Sequence, residues 1–292
     1  MWKVGEEDGR SVSSKRPSRR DFDAQNVGPT NTIRVRGRYG TVQGSPHDSS
    51  VLARYAETGV WAERTNALIQ GFFDLDGGTY VDVGGNIGLT TISAAQNPKV
   101  QCFVFEPEPE NFLHLSENIR TNCAHENVVA QQVAVFNRRT RLALELSPDN
   151  VGDHRIRLAN SIGVLGEDEW STLDVQAAPL DELVANVSEP LAVKIDTQGA
   201  EPFVISGGQG TLARAGLVIM EFAPYWMARM GSDPKIVLDL VRDFSQVSLA
   251  HGENDEAEPP LSGDQAAVKL ERLDAEYRKT PVGAYWDIIA RR

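Results

Sequence analysis

The sequence has little of what small secreted or membrane-inserted proteins depend on. It holds two cysteines, Cys102 and Cys123, in 292 residues. A chain of this length buries a sizeable apolar core without disulfides or a structural metal. We therefore expect both cysteines to be reduced thiols of a cytoplasmic protein. No apolar run approaches the roughly 18 residues of a membrane span, and the first residues lack the apolar segment of a signal peptide.

Basic residues are also scarce. The chain has 29 Lys and Arg against 41 Asp and Glu, which gives a formal net charge of −12. Because nucleic-acid binding depends on neutralising phosphates, an acidic chain is a poor candidate for it. We therefore expect neither nucleic acid nor a membrane as the main partner, and we attribute the charge to ordinary solubility.

The chain divides into three stretches by composition. Residues 1–31 are polar without apolar periodicity and are predicted to form a flexible arm. Residues 32–78 are predicted to be an N-terminal strand and helical cap, because apolar residues between 48 and 74 return every three or four positions. That helical pattern also offers a contact surface for a homo-oligomer. From residue 79 to 292, short strands and helices alternate, which predicts a mostly parallel sheet with helices on both faces.

The predicted elements of this last stretch follow apolar runs and their breaks. Strands are favoured where β-branched residues cluster, and a helix is expected to stop at Asn97-Pro98. Strands are predicted at 79–83, 100–105, 127–135, 141–146, 191–195, 217–222 and 283–290, and helices at 87–96, 109–122, 202–214 and 234–244.

A glycine-rich turn follows the first of these strands. Glycines at positions 84, 85 and 88 do not form the GxGxxG pattern that brings a dinucleotide pyrophosphate onto a helix N-terminus. Asp82 instead places a carboxylate where the cationic amino-acid end of a ligand could sit. S-adenosylmethionine carries such an end and no phosphate.

Two further acidic residues end predicted strands of the same sheet. Glu106 ends the second strand about twenty residues after the turn, where folds of this kind hydrogen-bond ribose hydroxyls. Asp196 ends the strand at 191–195 and precedes Gly199, which permits a tight turn into the next helix. Because the carboxyl ends of parallel strands share one edge, the three residues predict one crevice for an adenosyl ligand.

With these segments in view, the chain resembles the FkbM family of methyltransferases. Residues 81–88 match the family's VDVGANIG with Gly85 in place of alanine, and 105–109 resemble its second block. Residues 180–183 and 194–201 resemble the LDE and KIDVEGAE blocks, with Thr197 and Gln198 in place of the commoner Val-Glu. Glu221 resembles a strand-end glutamate further on.

The resemblance implies a Rossmann-like class I methyltransferase domain at 79–292. Such a domain has a mostly parallel seven-stranded sheet whose last strand is antiparallel. It also implies S-adenosylmethionine as cofactor and O-methylation of a small hydroxylated molecule such as a sugar, a polyketide or another natural product. Carried over by position, the cofactor-binding residues are Asp82, Gly84, Gly85, Asn86 and Gly88 at the methionine end, Glu106 and Pro107 at the ribose, and Val133 and Ala134 near the adenine.

An alcohol acceptor must lose a proton, which favours a nearby base. We expect Asp196 to be that base or to orient the acceptor. His154 is the second catalytic candidate, because the ordinary pKa of histidine lies near neutrality. A divalent metal is not favoured; if one binds, Asp196 and Glu221 are its candidate ligands.

Two rival functions stay open at this stage. One is an NAD-dependent oxidoreductase on the same type of fold, against which the missing GxGxxG argues. The other is a non-catalytic module that binds an adenosyl ligand without turnover, which the changes at Thr197 and Gln198 leave open.

Overall fold

The computed structural model describes residues 32–73, 77–123, 126–148, 150–158, 166–184, 186–252, 255–280 and 284–292. The arm predicted at 1–31 lies outside these ranges. The strands are β1 Ile33–Gly37, β2 Gly40–Gly44, β3 Gly78–Val83, β4 Val100–Phe105, β5 Val128–Gln131, β6 Ala134–Val135, β7 Thr140–Glu145, β8 Arg155–Arg157, β9 Thr172–Ala178, β10 Leu191–Ile195, β11 Leu217–Phe222, β12 Gln246–Ala250 and β13 Trp286–Arg291. The helices are α1 Val51–Thr58, α2 Glu63–Phe73, α3 Leu89–Ala95, α4 Pro109–Asn122, α5 Leu180–Leu183, α6 Glu201–Gly207, α7 Gln209–Arg214, α8 Pro224–Arg229, α9 Lys235–Arg242 and α10 Gly263–Tyr277.

A central sheet organises the fold. Among the described residues it has seven strands in the order β12-β13-β11-β10-β3-β4-β5. Strands β3, β4, β5, β10 and β11 are parallel to one another, whereas β13 runs antiparallel to both β11 and β12. The order reverses between β3 and β10, so ligands are expected at the carboxyl ends of these two strands. The predicted α/β fold, with its antiparallel last strand, is confirmed.

The strands are buried because both sheet faces are covered. Side chains alternate along each strand, so Val81 and Val83 face one apolar layer while Tyr80 faces the other. The first layer includes residues of α6, α7, α9 and α10, and the second includes residues of α2 and α3. This double covering explains why the central strands read as continuous apolar runs in the sequence.

Three predicted elements are divided in the structure. The strand expected at 127–135 separates into β5, at the edge of the central sheet, and β6, which pairs with β9. The helix expected at 202–214 is broken into α6 and α7 at Gly208, where an added Cβ would lie 2.9 Å from Leu180 Cδ2. The helical pattern at 48–74 is two helices, because α1 ends at the left-handed Gly59.

A second sheet interrupts the alternation after β5. It has the order β6-β9-β7-β8 and surrounds its own apolar cluster. The fully buried carboxylate of Glu145 on β7 accepts two hydrogen bonds of 2.8 Å from Arg229 of α8, and one of 2.7 Å from Arg157 of β8. This ion-pair network joins the second sheet to the segment that follows β11.

The N-terminal segment packs beside the start of α3. The hairpin of β1 and β2 and helix α1 share an apolar cluster with Ile87, Leu89 and Ile92. Asn118 of α4 secures the hairpin, donating to the carbonyl of Gln43 at 2.8 Å and accepting from its N–H at 2.7 Å. Within the described residues, no helix is both long and apolar enough to cross a membrane.

Candidate functional site

The turn after β3 adopts a backbone that few residues tolerate. Gly84 has a φ of 81°, Asn86 of 49° and Gly88 of 91°. A Cβ at position 84 would lie 1.9 Å from the carbonyl oxygen of Asp196. Glycine at 84 therefore lets the ends of β3 and β10 approach each other closely.

Gly85, the next residue of the turn, packs closely against a neighbouring strand. Its φ is not in the left-handed region, so this position does not require the backbone freedom of glycine. A Cβ here would instead lie 2.2 Å from Cγ2 of Val104 on the neighbouring strand β4. Gly85 is thus a packing glycine, and the space of the alanine methyl common in the family is filled by Val104.

Asp82 lies beneath the turn and is fully buried. Its Oδ2 accepts hydrogen bonds from the hydroxyls of Thr90 at 2.6 Å and Thr91 at 2.7 Å. Its Oδ1 lies 3.3 Å from Nζ of Lys194, the residue opposite it on β10. Asp82 therefore lines neither cleft described below. It holds α3 and Lys194 in place, so any effect on a ligand passes through them.

Glu106 is placed at the end of β4 and points to the turn. Its Oε2 accepts the N–H of Asn86 at 2.8 Å, and its Oε1 accepts the N–H of Glu108 at 3.0 Å. Burial raises the pKa of Glu106 to about 7. Each oxygen retains a lone pair, so the carboxylate can still accept hydrogen bonds from a ligand hydroxyl.

The first cleft opens beside Glu106. Its walls combine the turn after β3, apolar side chains of the central sheet, and residues of the second sheet. A planar aromatic ligand with a hydroxylated neighbour fits such a mixture of apolar walls and few polar groups. The lining includes Gly84, Asn86, Phe105, Glu106, Pro107, Val133, Ala134, Leu144, His154, Ile156 and Asp196.

A second, larger cleft adjoins the first. Its walls come from α1, α2, the turn after β3, and the ends of β10, β11 and β13. The two clefts share Gly84, Asn86, Gly152, Asp196 and Gln198. The shared residues form a junction at the reversal point of the sheet.

Asp196 occupies this junction with its side chain 37% exposed. Its Oδ1 accepts a hydrogen bond from Nε2 of Gln198 at 3.0 Å, and its Oδ2 lies 3.5 Å from Nζ of Lys194. Lys194 also donates to the carbonyl of Gly84 at 3.2 Å. The lysine thus joins the glycine-rich turn, the buried Asp82 and the accessible Asp196.

Two more carboxyl groups lie behind Asp196. Glu201 is fully buried, and its Oε1 accepts hydrogen bonds from the N–H of Thr197 at 2.9 Å and of Gly199 at 3.2 Å. Glu221 lines the larger cleft, and burial together with the charge of Asp196 raises its pKa well above the ordinary range. Burial also raises the pKa of Glu201.

His154 lies in the wall of the smaller cleft, away from Glu221 and Asp287 of the larger one. Its Nδ1 accepts the N–H of Ser147 at 3.0 Å. Burial, and secondarily the charge of Arg155, lowers its pKa to about 4. A neutral imidazole with one nitrogen already engaged is a weak proton acceptor at neutral pH.

Arg155, a cation that was not selected from the sequence, also lines the smaller cleft. Its side chain is fully buried and ion-paired with Asp153. The guanidinium carbon Cζ lies 3.5 Å from the ring centroid of Trp226. The ring centroid of Trp170 lies 5.0 Å from the same carbon of Arg155. Lys194 was also missed, although a lysine within a buried apolar strand is an unusual signal that calls for a partner.

Asp196 and Glu221 are the candidate ligands if a divalent metal binds. Over the residues that the structure describes, no group of three or more His, Cys, Asp or Glu side chains is placed to hold a metal ion.

The chain was compared with known proteins. Residues 82–247 match the Methyltransferase FkbM domain. Hexuronic acid methyltransferase AglP of Haloferax volcanii is 29% identical over 165 residues, which cover 56% of this chain and 60% of AglP. The 2-O-methyltransferase NoeI of Sinorhizobium fredii is 27% identical over 179 residues, which cover 58% of this chain and 72% of NoeI. The matched region is therefore less than two thirds of AglP.

Among solved structures, TYW2 of M. jannaschii in complex with AdoMet is 12% identical, with a TM-score of 0.42. The match covers 91% of this chain and 89% of that one.

Proposed function

The chain belongs to the FkbM methyltransferase family, and on that premise we propose that it methylates a hydroxyl of a small molecule with S-adenosylmethionine as donor. The observation that carries this proposal is the junction of the two clefts at Asp196. The lining of one cleft suits an adenosyl group, the other offers room for a separate acceptor, and a partly exposed carboxylate lies where they meet.

The residues around the smaller cleft fit the cofactor. Apolar side chains of Phe105, Val133 and Ile156 suit an adenine ring, and Glu106 offers carboxylate oxygens to ribose hydroxyls. Gly84 and Asn86 of the turn after β3 offer backbone groups to the methionine end. Pro107 and Ala134 belong to the same walls.

When bound, S-adenosylmethionine supplies a methyl group activated by a sulfonium, for in-line attack by an oxygen. The residues of this chain then have two tasks, to align the acceptor and to accept its proton. Asp196 is the side chain best placed for the second task, because it is accessible from both clefts. His154 is the weaker candidate because its pKa is near 4 and its Nδ1 is engaged.

The lining of the larger cleft favours a polyhydroxylated acceptor such as a sugar. Trp61 and Tyr285 offer aromatic surfaces, while Glu221 and Asp287 offer hydrogen-bonding groups. Flat aromatic faces suit the apolar face of a sugar ring, and carboxyl groups suit its hydroxyls. The names of both curated relatives, a hexuronic acid methyltransferase and a 2-O-methyltransferase, agree with this class.

Replacing Asp196 tests the assignment of the base. With a panel of mono- and disaccharides, Asp196→Asn should lower kcat by about 10²- to 10⁴-fold, because a positioned base contributes about that much. Calorimetric titration should show unchanged binding of S-adenosylmethionine. The matched control is Asp174→Asn, an exposed carboxylate on β9, which should turn over like the wild type.

The same assays separate the rival functions. Cofactor binding without methyl transfer to any acceptor would favour a non-catalytic module. Binding of NAD in preference to S-adenosylmethionine would favour an oxidoreductase. Normal turnover of Asp196→Asn would remove Asp196 as the base, and activity that depends on an added divalent metal would reopen the metal hypothesis for Asp196 and Glu221.

A further inference from the structure

The loop that carries Asp196 contains a residue under backbone strain. Gln198 has a φ of 55°, a left-handed conformation that costs a non-glycine residue free energy. Gly199 follows with a φ of 104° and packs against the backbone of Trp226, where a Cβ would approach within 2.7 Å. Strained residues held by their surroundings concentrate at functional sites. The strained backbone of Gln198 therefore points to a role for its side chain.

Glu201 holds the loop in this conformation. Its Oε1 accepts the N–H groups of Thr197 and Gly199, on either side of Gln198, and the hydroxyl of Thr197 at 3.0 Å. A buried acceptor with three donors from one loop fixes the path of that loop. The conformation of Gln198 is therefore imposed by its neighbours, and its side chain is presented in a set direction.

That direction is toward Asp196. The amide Nε2 of Gln198 donates to Oδ1 of Asp196 at 3.0 Å, and Lys194 approaches Oδ2 at 3.5 Å. Each carboxylate oxygen thus has one neighbouring donor, which fixes the orientation of the carboxylate plane. Gln198 also lines both clefts, as Asp196 does.

We propose that Gln198 is a positioning residue, which orients the Asp196 carboxylate at the junction of the two clefts. The inference rests on the proposed function of Asp196 as base. A neutral amide is suited to this task, because it donates a hydrogen bond without neutralising the base. A glutamate at 198 would instead place a like charge beside Asp196 and remove the donor.

Two variants separate positioning from a structural role. Gln198→Gly removes the amide and tolerates the left-handed backbone, so its thermal unfolding midpoint should equal or exceed that of the wild type. Its kcat should nevertheless fall by about 10- to 100-fold, as expected for a misaligned catalytic group.

Gln198→Glu should move the acidic limb of the kcat–pH profile to higher pH, because the added charge favours the protonated form of Asp196. The matched control is Gln246→Glu on β12, an exposed position, with an unchanged profile.

The outcomes are distinct. Reduced kcat in Gln198→Gly at undiminished stability, with the shifted profile in Gln198→Glu, supports the inference. If both variants keep the kcat and pH profile of the wild type while Asp196→Asn is inactive, Gln198 has no positioning role and the proposed function stands. If Asp196→Asn retains full turnover, the base assignment fails first and the inference falls with it.

Discussion

At the scale of single residues, neighbours decide what each acidic side chain at this sheet edge does. Asp82 is enclosed by two threonine hydroxyls and Lys194, so it is a support. Glu106 is held by two backbone N–H groups and faces the smaller cleft. Asp196 retains access to both clefts. Three strand-end carboxylates of similar chemistry therefore occupy three different environments.

The order of these residues was predictable from the sequence, but their exposure was not. Asp82 is the second-last residue of β3 and Asp196 directly follows β10, and these positions indicate the edge at which each carboxylate lies. Whether it points inward or outward depends on Thr90, Thr91 and Lys194, which meet it only after folding. The packing role of Gly85 was hidden for the same reason, since Val104 is on another strand.

The contact between Gly85 and Val104 gives a prediction about stability. Gly85→Ala should lower the free energy of unfolding by about 1–3 kcal/mol, because the new methyl meets a stiff β-branched side chain in a packed core. Adding Val104→Ala should recover part of the loss by making room. Equilibrium denaturation of both single variants and the double variant gives the coupling free energy between positions 85 and 104. Strictly additive effects would contradict the contact.

At the scale of elements, apolar runs predicted the parallel strands well, and local breaks were harder to predict. The residues at 127–135 read as one strand because valines continue through them, yet the chain changes sheets after Gln131. Helix α10 received no prediction. Its buried face consists largely of Gly263, Ala266, Ala267 and Leu270, and small side chains give a weak apolar signal.

The attachment of the second sheet to α8 can be tested at Arg229. Arg229→Ala leaves the fully buried Glu145 with Arg157 as its remaining ion-pair partner in the described part of the chain. Unbalancing a buried charge network costs about 3–5 kcal/mol of unfolding free energy. Chemical denaturation measures the loss. Arg214→Ala, which removes a solvent-exposed pair with Glu189, should cost less than about 1 kcal/mol, and equal losses in the two variants would contradict the network's role.

At the scale of the whole molecule, the cleft walls come from distant parts of the chain. The second sheet forms one side of the smaller cleft, while α1, α2 and β13 contribute to the larger one. Motif spacing predicted the shared turn and strand ends. It did not predict these walls, because they depend on how the second sheet and the N-terminal segment pack.

Binding of the cofactor should stabilise the folded chain as a whole. S-adenosylmethionine at a hundredfold excess over its Kd should raise the free energy of unfolding by about 2.7 kcal/mol, since it binds the folded chain. Thermal unfolding with and without ligand measures the shift. NAD at the same concentration should give none, and Asp196→Asn should keep the full shift with S-adenosylmethionine. A larger shift with NAD would contradict the cofactor assignment.

The last strand of the chain sets a limit on where this protein can be cut. The family match ends at residue 247, yet β13 at Trp286–Arg291 inserts between β11 and β12. Arg64 of α2 is ion-paired to Asp287 on that strand, so α2 and the last strand meet beside the larger cleft. A fragment trimmed to the recognised domain would lose an interior strand, and its exposed sheet edge would favour aggregation.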